Sequence, residues 1–280
     1  MYQTIVSVDD LKSHLNDPNW VIIDTRYFLK EPEKGHNDYL KNHISGAIFA
    51  DLDKDLSGPI QPGITGRHPL PSVDKLIALF SSWGIDSTVQ VVVYDQAHGG
   101  IAARLWWMLQ WMGHQQVAVL DGGFAAWDKA AAPLESATPK LTPRSFEVNI
   151  QKNWTTSAPQ IGREASQENY CLIDARAAIR YRGEQEPIDP IAGHIPHALS
   201  LPFLDNLNEE GLWRSPEELK ARFEPVVGNA EKVVVYCGSG VTACHNLLAM
   251  KRAGLNGALL YPGSWSHWIT DGRREVVTSA

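Results

Sequence analysis

Val233-Val234-Val235-Tyr236-Cys237-Gly238-Ser239-Gly240-Val241-Thr242 decides the fold of this 280-residue chain. An unbroken apolar run of four residues reads as a buried strand of a parallel sheet. The glycine-bearing turn after it opens a helix expected from about Val241 to Arg252, closing near Gly254. The same strand, Val91-Val92-Val93-Tyr94, stands 142 positions earlier, and there Asp95 holds the place of Cys237.

Outward from these two strands the chain repeats itself in order. Ile22-Ile23-Asp24-Thr25-Arg26 returns as Leu172-Ile173-Asp174-Ala175-Arg176, and His43-Ile44-Ser45-Gly46-Ala47 as His194-Ile195-Pro196-His197-Ala198. Leu120-Asp121-Gly122-Gly123-Phe124-Ala125-Ala126-Trp127 returns as Tyr261-Pro262-Gly263-Ser264-Trp265-Ser266-His267-Trp268. Four ordered matches imply two tandem copies of one fold. The boundaries expected are 1–132 for the first copy, 133–159 for a proline-bearing linker and 160–280 for the second. Short apolar runs (Val21–Ile23, Val91–Tyr94, Val117–Leu120; Cys171–Ile173, Val233–Tyr236, Ala258–Tyr261) predict strands. Between them, Ser7 and Ser215 are placed to open helices. The second, Ser215-Pro216-Glu217-Glu218, is a capping box with proline at the first helical position, expected to run through about Phe223. Gly100–Met112 is apolar almost all round, as in a helix covered on both sides. Strands alternating with helices define an α/β class with mainly parallel sheets.

Composition narrows the function. A net charge of −7 gives no general attraction for phosphate backbones, which argues against nucleic-acid binding. No apolar run approaches the roughly 20 residues of a membrane span. The N-terminus lacks a signal-peptide pattern. Three cysteines are too few for a disulfide framework. A cytoplasmic setting is expected, and neither a metal site nor a cofactor is implied, because no HExxH, paired CxxC, dinucleotide fingerprint or phosphate-loop lysine occurs.

A cysteine between a strand end and a helix start sits where backbone N–H groups converge and the helix dipole is positive, and both favour negative charge on sulfur. Gly238 and Gly240 allow the backbone to curl into an amide nest. A persulfide on Cys237 would find its outer charge stabilised there without a metal. Cys171, opening a strand, and Cys244, inside the helix, read as small core hydrophobes.

Cys237-Gly238-Ser239-Gly240-Val241-Thr242-Ala243 resembles the active loop of the rhodanese superfamily, particularly its 3-mercaptopyruvate sulfurtransferases. His194–Ala198 and Gly263–Trp268 resemble that family's two flanking signatures. The resemblance spans the whole chain and implies a tandem of two rhodanese-like domains, the first non-catalytic and the second catalytic. It implies sulfur transfer from a small-molecule donor through Cys237 to a thiol (a thioredoxin-like protein among them) or to cyanide. It assigns Gly238, Ser239, Gly240, Val241 and Thr242 to the substrate loop and Arg180 to the donor's carboxylate. Ser239, His68 and Asp53 are assigned to a catalytic relay. Small neutral residues after the cysteine suit 3-mercaptopyruvate better than dianionic thiosulfate. One departure bears on the donor: Ile188 follows Glu186-Pro187 where the family usually has a second substrate arginine. Thiosulfate:cyanide sulfur transfer is therefore the alternative, and a non-catalytic binding module a further one. A cysteine phosphatase of the Cys-x5-Arg type is excluded, since Ala243 stands where the arginine is required. Arg26 and Arg176, each two residues after an aspartate, are expected to form internal ion pairs in the two copies.

Overall fold

A computed structural model describes residues 1–279, and its packing divides the chain into two compact units. Unit 1 comprises Met1–Gly58, Pro71–Gln151 and Glu209–Trp213; unit 2 comprises Pro59–Leu70, Lys152–Asn208 and the residues from Arg214 onward.

Each unit is built on a parallel sheet. In unit 1 the strand order is Ile5–Val6, Val117–Leu120, Gln90–Tyr94, Trp20–Asp24, Ala47–Phe49. In unit 2 it is Leu259–Leu260, Lys232–Tyr236, Tyr170–Asp174, Ala198–Ser200. The repeated strands keep the same register: Asp24 lies opposite Tyr94 as Asp174 lies opposite Tyr236. Thr155 bridges Leu260 in parallel, where unit 1 has its edge strand Ile5–Val6 beside Val119 and Leu120.

Burial explains the apolar runs. Gln90–Tyr94 is buried throughout, and Val234, Val235 and Tyr236 likewise, while Val233, near the start of its strand, is only half-buried. Tyr94 and Tyr236 each close a core cluster, with Phe124 and Trp127 in unit 1 and with Trp265 and Trp268 in unit 2. The helix expected over Gly100–Met112 spans Ala102–Trp111 and is buried along nearly its whole length. The Ser215 capping box forms, and its helix runs to Val227, past the expected end, by taking Pro225 into its last turn. Pro225 has no N–H to reach back to Ala221 O, so the helix loses that bond and stops two residues later. The helix after Cys237 spans Ala243–Arg252, because Gly240 at φ +80° and the two residues after it belong to the turn.

The packing interleaves the copies in sequence. Part of the expected linker is built into unit 1: Leu134–Glu135 pairs antiparallel with His43–Ile44, Phe146 is buried, and Asn149 N–H donates to Met112 O at 2.8 Å. Pro59–Leu70, read with the first copy, packs with unit 2. Among the described residues no helix is long and apolar enough to cross a membrane.

Candidate active site

Cys237 sits immediately after the strand Lys232–Tyr236, and its residue is 1% exposed. The loop curls back on the sulfur: Gly240 N–H donates to Cys237 Sγ at 3.2 Å. Gly240 is irreplaceable on two counts. Its φ is +80°, and an added Cβ would stand 2.4 Å from Pro262 O. The segment Gly263–Trp268 holds the loop's outer side. Ser264 Oγ accepts from Cys237 N–H at 3.1 Å, while Trp265 N–H and Ser266 N–H donate to Cys237 O and Gly238 O, each at 2.9 Å. Ser264 is fully buried at φ +54°, an unusual conformation for a side-chain-bearing residue. Trp265 and Trp268 are core residues, and the Arg176 guanidinium lies 4.6 Å from the Trp265 ring centre.

The first copy shows what such a loop does with an anion. The Asp95 carboxylate accepts from Ala97 N–H and Gly99 N–H on one oxygen (3.1 and 2.9 Å) and from Ile101 N–H and Ala102 N–H on the other (2.9 and 3.2 Å). Strand, turn and helix are those of the Cys237 loop, and the nest is filled by the protein's own carboxylate.

Ser239 and His68 meet, with 2.7 Å between Oγ and Nδ1 and both residues more than nine-tenths buried. His68 reaches the loop because Pro59–Leu70 belongs to unit 2. Its neighbours fix it there: Arg67 N–H donates to Ser266 Oγ at 3.0 Å, and Gly66 passes so close that a Cβ would stand 2.4 Å from Gly263 O. Asp53 belongs to unit 1, where it is exposed and accepts from Tyr27 Oη at 2.8 Å.

Arg180 lies beside the loop. Its Nε donates to both Glu186 oxygens and its Nη2 to Glu186 and Asp189. Glu186 also accepts from Ile188 N–H and Asp189 N–H, each at 3.1 Å. Burial would raise the Glu186 carboxyl, but the Arg180 and backbone hydrogen bonds outweigh it and hold the group below the ordinary carboxylate range. Arg176 forms the expected ion pair with Asp174 and continues to Glu186, so the internal pair is joined to the Arg180 cluster. Its counterpart Arg26 pairs with Asp24 in unit 1.

The sequence reading missed Arg67 and the two carboxylates that organise this cluster. Arg67 Nη1 pairs with Asp189, which thus bridges Arg67 and Arg180. Its signal was adjacency to His68 in Gly66-Arg67-His68-Pro69. Cys171 is buried, which pushes its thiol up to about 11, and Cys244 donates to Gly240 O at 3.5 Å. No cluster of metal-binding side chains occurs among the described residues.

Comparison with known proteins agrees with this geometry. The Rhodanese-like domain model matches residues 7–130 and 157–271. The chain is 44% identical over 277 residues to a Pseudomonas aeruginosa protein named as a probable 3-mercaptopyruvate sulfurtransferase, covering 98% of each. It is 31% identical over 281 residues to a Bos taurus protein named thiosulfate sulfurtransferase, covering 96% of this chain and 93% of that one. The crystal structure of a 3-mercaptopyruvate sulfotransferase from Escherichia coli superposes with a TM-score of 0.81 at 31% identity, covering 95% of this chain and all of that one. With both copies matched and the likeness running end to end, this chain belongs to the rhodanese family, as a tandem of two rhodanese-like domains.

Proposed function

We propose that the chain is a sulfurtransferase that takes sulfur from 3-mercaptopyruvate onto Cys237, releases pyruvate, and passes the sulfur to a thiol or to cyanide. The observation that carries this reading is the loop itself: Cys237 Sγ already accepts an amide N–H, and the residues beyond it are small and uncharged. The names of the similar proteins support sulfur transfer, and the 3-mercaptopyruvate name accompanies the 44% relative.

The balance of charge favours the donor. Arg67, Arg176 and Arg180 are matched by Asp174, Glu186 and Asp189. A cluster that is neutral overall offers oriented donors to a monoanion but little to offset the second charge of thiosulfate. In the first half-reaction the Cys237 thiolate attacks the donor sulfur, forming the S–S bond. The C–S bond breaks, and its electron pair leaves on carbon as the enolate of pyruvate. The proton carried by the donor sulfur passes to that carbon, with Ser239 and His68 as the relay. The loop N–H groups hold the charge left on the outer sulfur. In the second half-reaction an acceptor thiolate or cyanide attacks the outer sulfur and returns the Cys237 thiolate. Three buried cysteines, Cys171, Cys237 and Cys244, with no disulfide among the described residues, support a reducing, cytoplasmic setting.

Intact-mass analysis after donor treatment tests the reading. The wild-type protein should gain one sulfur atom on Cys237 and release one equivalent of pyruvate, and Cys237→Ser should do neither. Faster loading from thiosulfate than from 3-mercaptopyruvate would reverse the choice of donor.

A further inference from the structure

Ile188 leaves the site without the second arginine expected after Glu186-Pro187, yet a second guanidinium is present from another part of the chain. The donors beside the cysteine loop converge on one point. An ideal Cβ placed on Gly238 would stand 3.2 Å from Arg67 Nη2 and 3.6 Å from both Arg180 Nη1 and Nη2. Of these, Arg180 Nη2 is committed to Glu186 and Asp189. Arg180 Nη1 and Arg67 Nη2 have no hydrogen-bond partner among the described residues, and Arg67 Nε is buried with none. Both Nη donors stand over a glycine that has no side chain, where a planar carboxylate can take charge-assisted hydrogen bonds from two guanidinium groups at once. Asp189, gripping both arginines, fixes their spacing and leaves those donors turned toward Gly238.

We infer that Arg67 is the second substrate-binding arginine of this site: with Arg180 it grips the donor's carboxylate over Gly238, doing from residue 67 what Ile188 cannot do from residue 188. This rests on the 3-mercaptopyruvate reading and deepens it. A side chain at position 238 would enter the same space, which gives the glycine a role in substrate access as well as in backbone curvature. The segment Pro59–Leu70 then supplies two adjacent functions, the carboxylate clamp at Arg67 and the relay histidine at His68.

The test compares 3-mercaptopyruvate with mercaptoacetone, the same thiol-ketone without the carboxylate, and follows inhibition by pyruvate, which keeps the carboxylate. Arg67→Met should raise KM for 3-mercaptopyruvate and the inhibition constant of pyruvate by about ten- to a hundredfold, the loss of one charge-assisted hydrogen bond. Its kcat should change far less, and mercaptoacetone turnover should fall far less than turnover of 3-mercaptopyruvate. Arg67→Lys should recover part of the loss, since it restores the charge without the fork. The double variant Arg67→Met/Asp189→Asn removes the unmasked carboxylate as well, and its KM should remain raised. Recovery in the double variant would mean that Arg67 only neutralises Asp189 and would overturn the inference. An equal loss with both donors, or a KM and pyruvate inhibition unchanged in Arg67→Met, would overturn it too. Failure of the wild-type protein to release pyruvate from 3-mercaptopyruvate would instead sink the donor assignment on which the inference stands.

Discussion

At the scale of single residues, the proposed mechanism divides the site into groups that hold charge and groups that move protons. The amide nest and the arginines hold charge at fixed positions and need no reorganisation during reaction, which is where electrostatic catalysis gains most. Ser239 and His68, with 2.7 Å between Oγ and Nδ1, are the pair to which the proposed mechanism gives the proton transfer. In the proposed mechanism, protonation of the departing enolate belongs to the first half-reaction alone. Ser239→Ala should therefore lower pyruvate release by about a hundredfold, within the usual range for a general acid. Sulfur delivery from protein already carrying the persulfide should stay near the wild-type rate. Single-turnover measurements of the two steps check this, and equal slowing of both would show that Ser239 merely shapes the loop.

At the scale of the loop and its flanking elements, conformation is set by local geometry and by the segment behind it. Gly240→Ala places a Cβ on a left-handed residue and within 2.4 Å of a backbone oxygen, Pro262 O, which has no flexible end to yield. The change should cost about 1–3 kcal/mol of stability and abolish persulfide formation, read from thermal unfolding and intact mass. A variant that loads sulfur normally would mean that the Gly240 N–H is not part of the nest. This loop was legible in the sequence because strand, cysteine, glycines and helix are contiguous, so each obeys a local rule. The Arg67–Asp189 pair was not, since 122 positions separate its members and no periodicity links them. Asp95 was half legible. Its identity excluded a nucleophile in the first copy, but that its carboxylate fills the nest required four hydrogen bonds to be seen. Ile188 was legible as a departure from the family pattern, whereas the Arg67 guanidinium beside Gly238 was not, because it comes from a distant segment.

At the scale of the whole molecule, duplication has kept the scaffold and released the loop. Both copies retain the aspartate–arginine pair at the strand end and a tyrosine opposite it, because removing either charge would strand the other in the core. The repeat made this legible, while the interleaving of Pro59–Leu70 and Glu209–Trp213 was not, as no sequence rule says which unit a loop joins. Each unit also buries histidine in its neutral form. Burial pushes His114 down in unit 1 and His194 down in unit 2, where His267 is lowered by burial and then by Arg274. In the unfolded chain each returns to its ordinary value near 6.5. Above that value neither state holds the proton and stability is unaffected. As pH falls below it, the unfolded chain binds protons that the folded chain refuses, so stability must fall with pH and recover as pH rises again. His194 contributes through a buried contact, its Nδ1 at 2.7 Å from Tyr181 O and its ring stacked on Tyr181 at 3.7 Å. Melting temperatures followed from about pH 8 down to about pH 5, across the range where free histidine titrates, should decline below about 6.5. His194→Gln should be less stable at the upper end yet show a shallower decline. A slope unchanged in that variant would mean that His194 takes up its proton as readily in the folded chain as in the unfolded one.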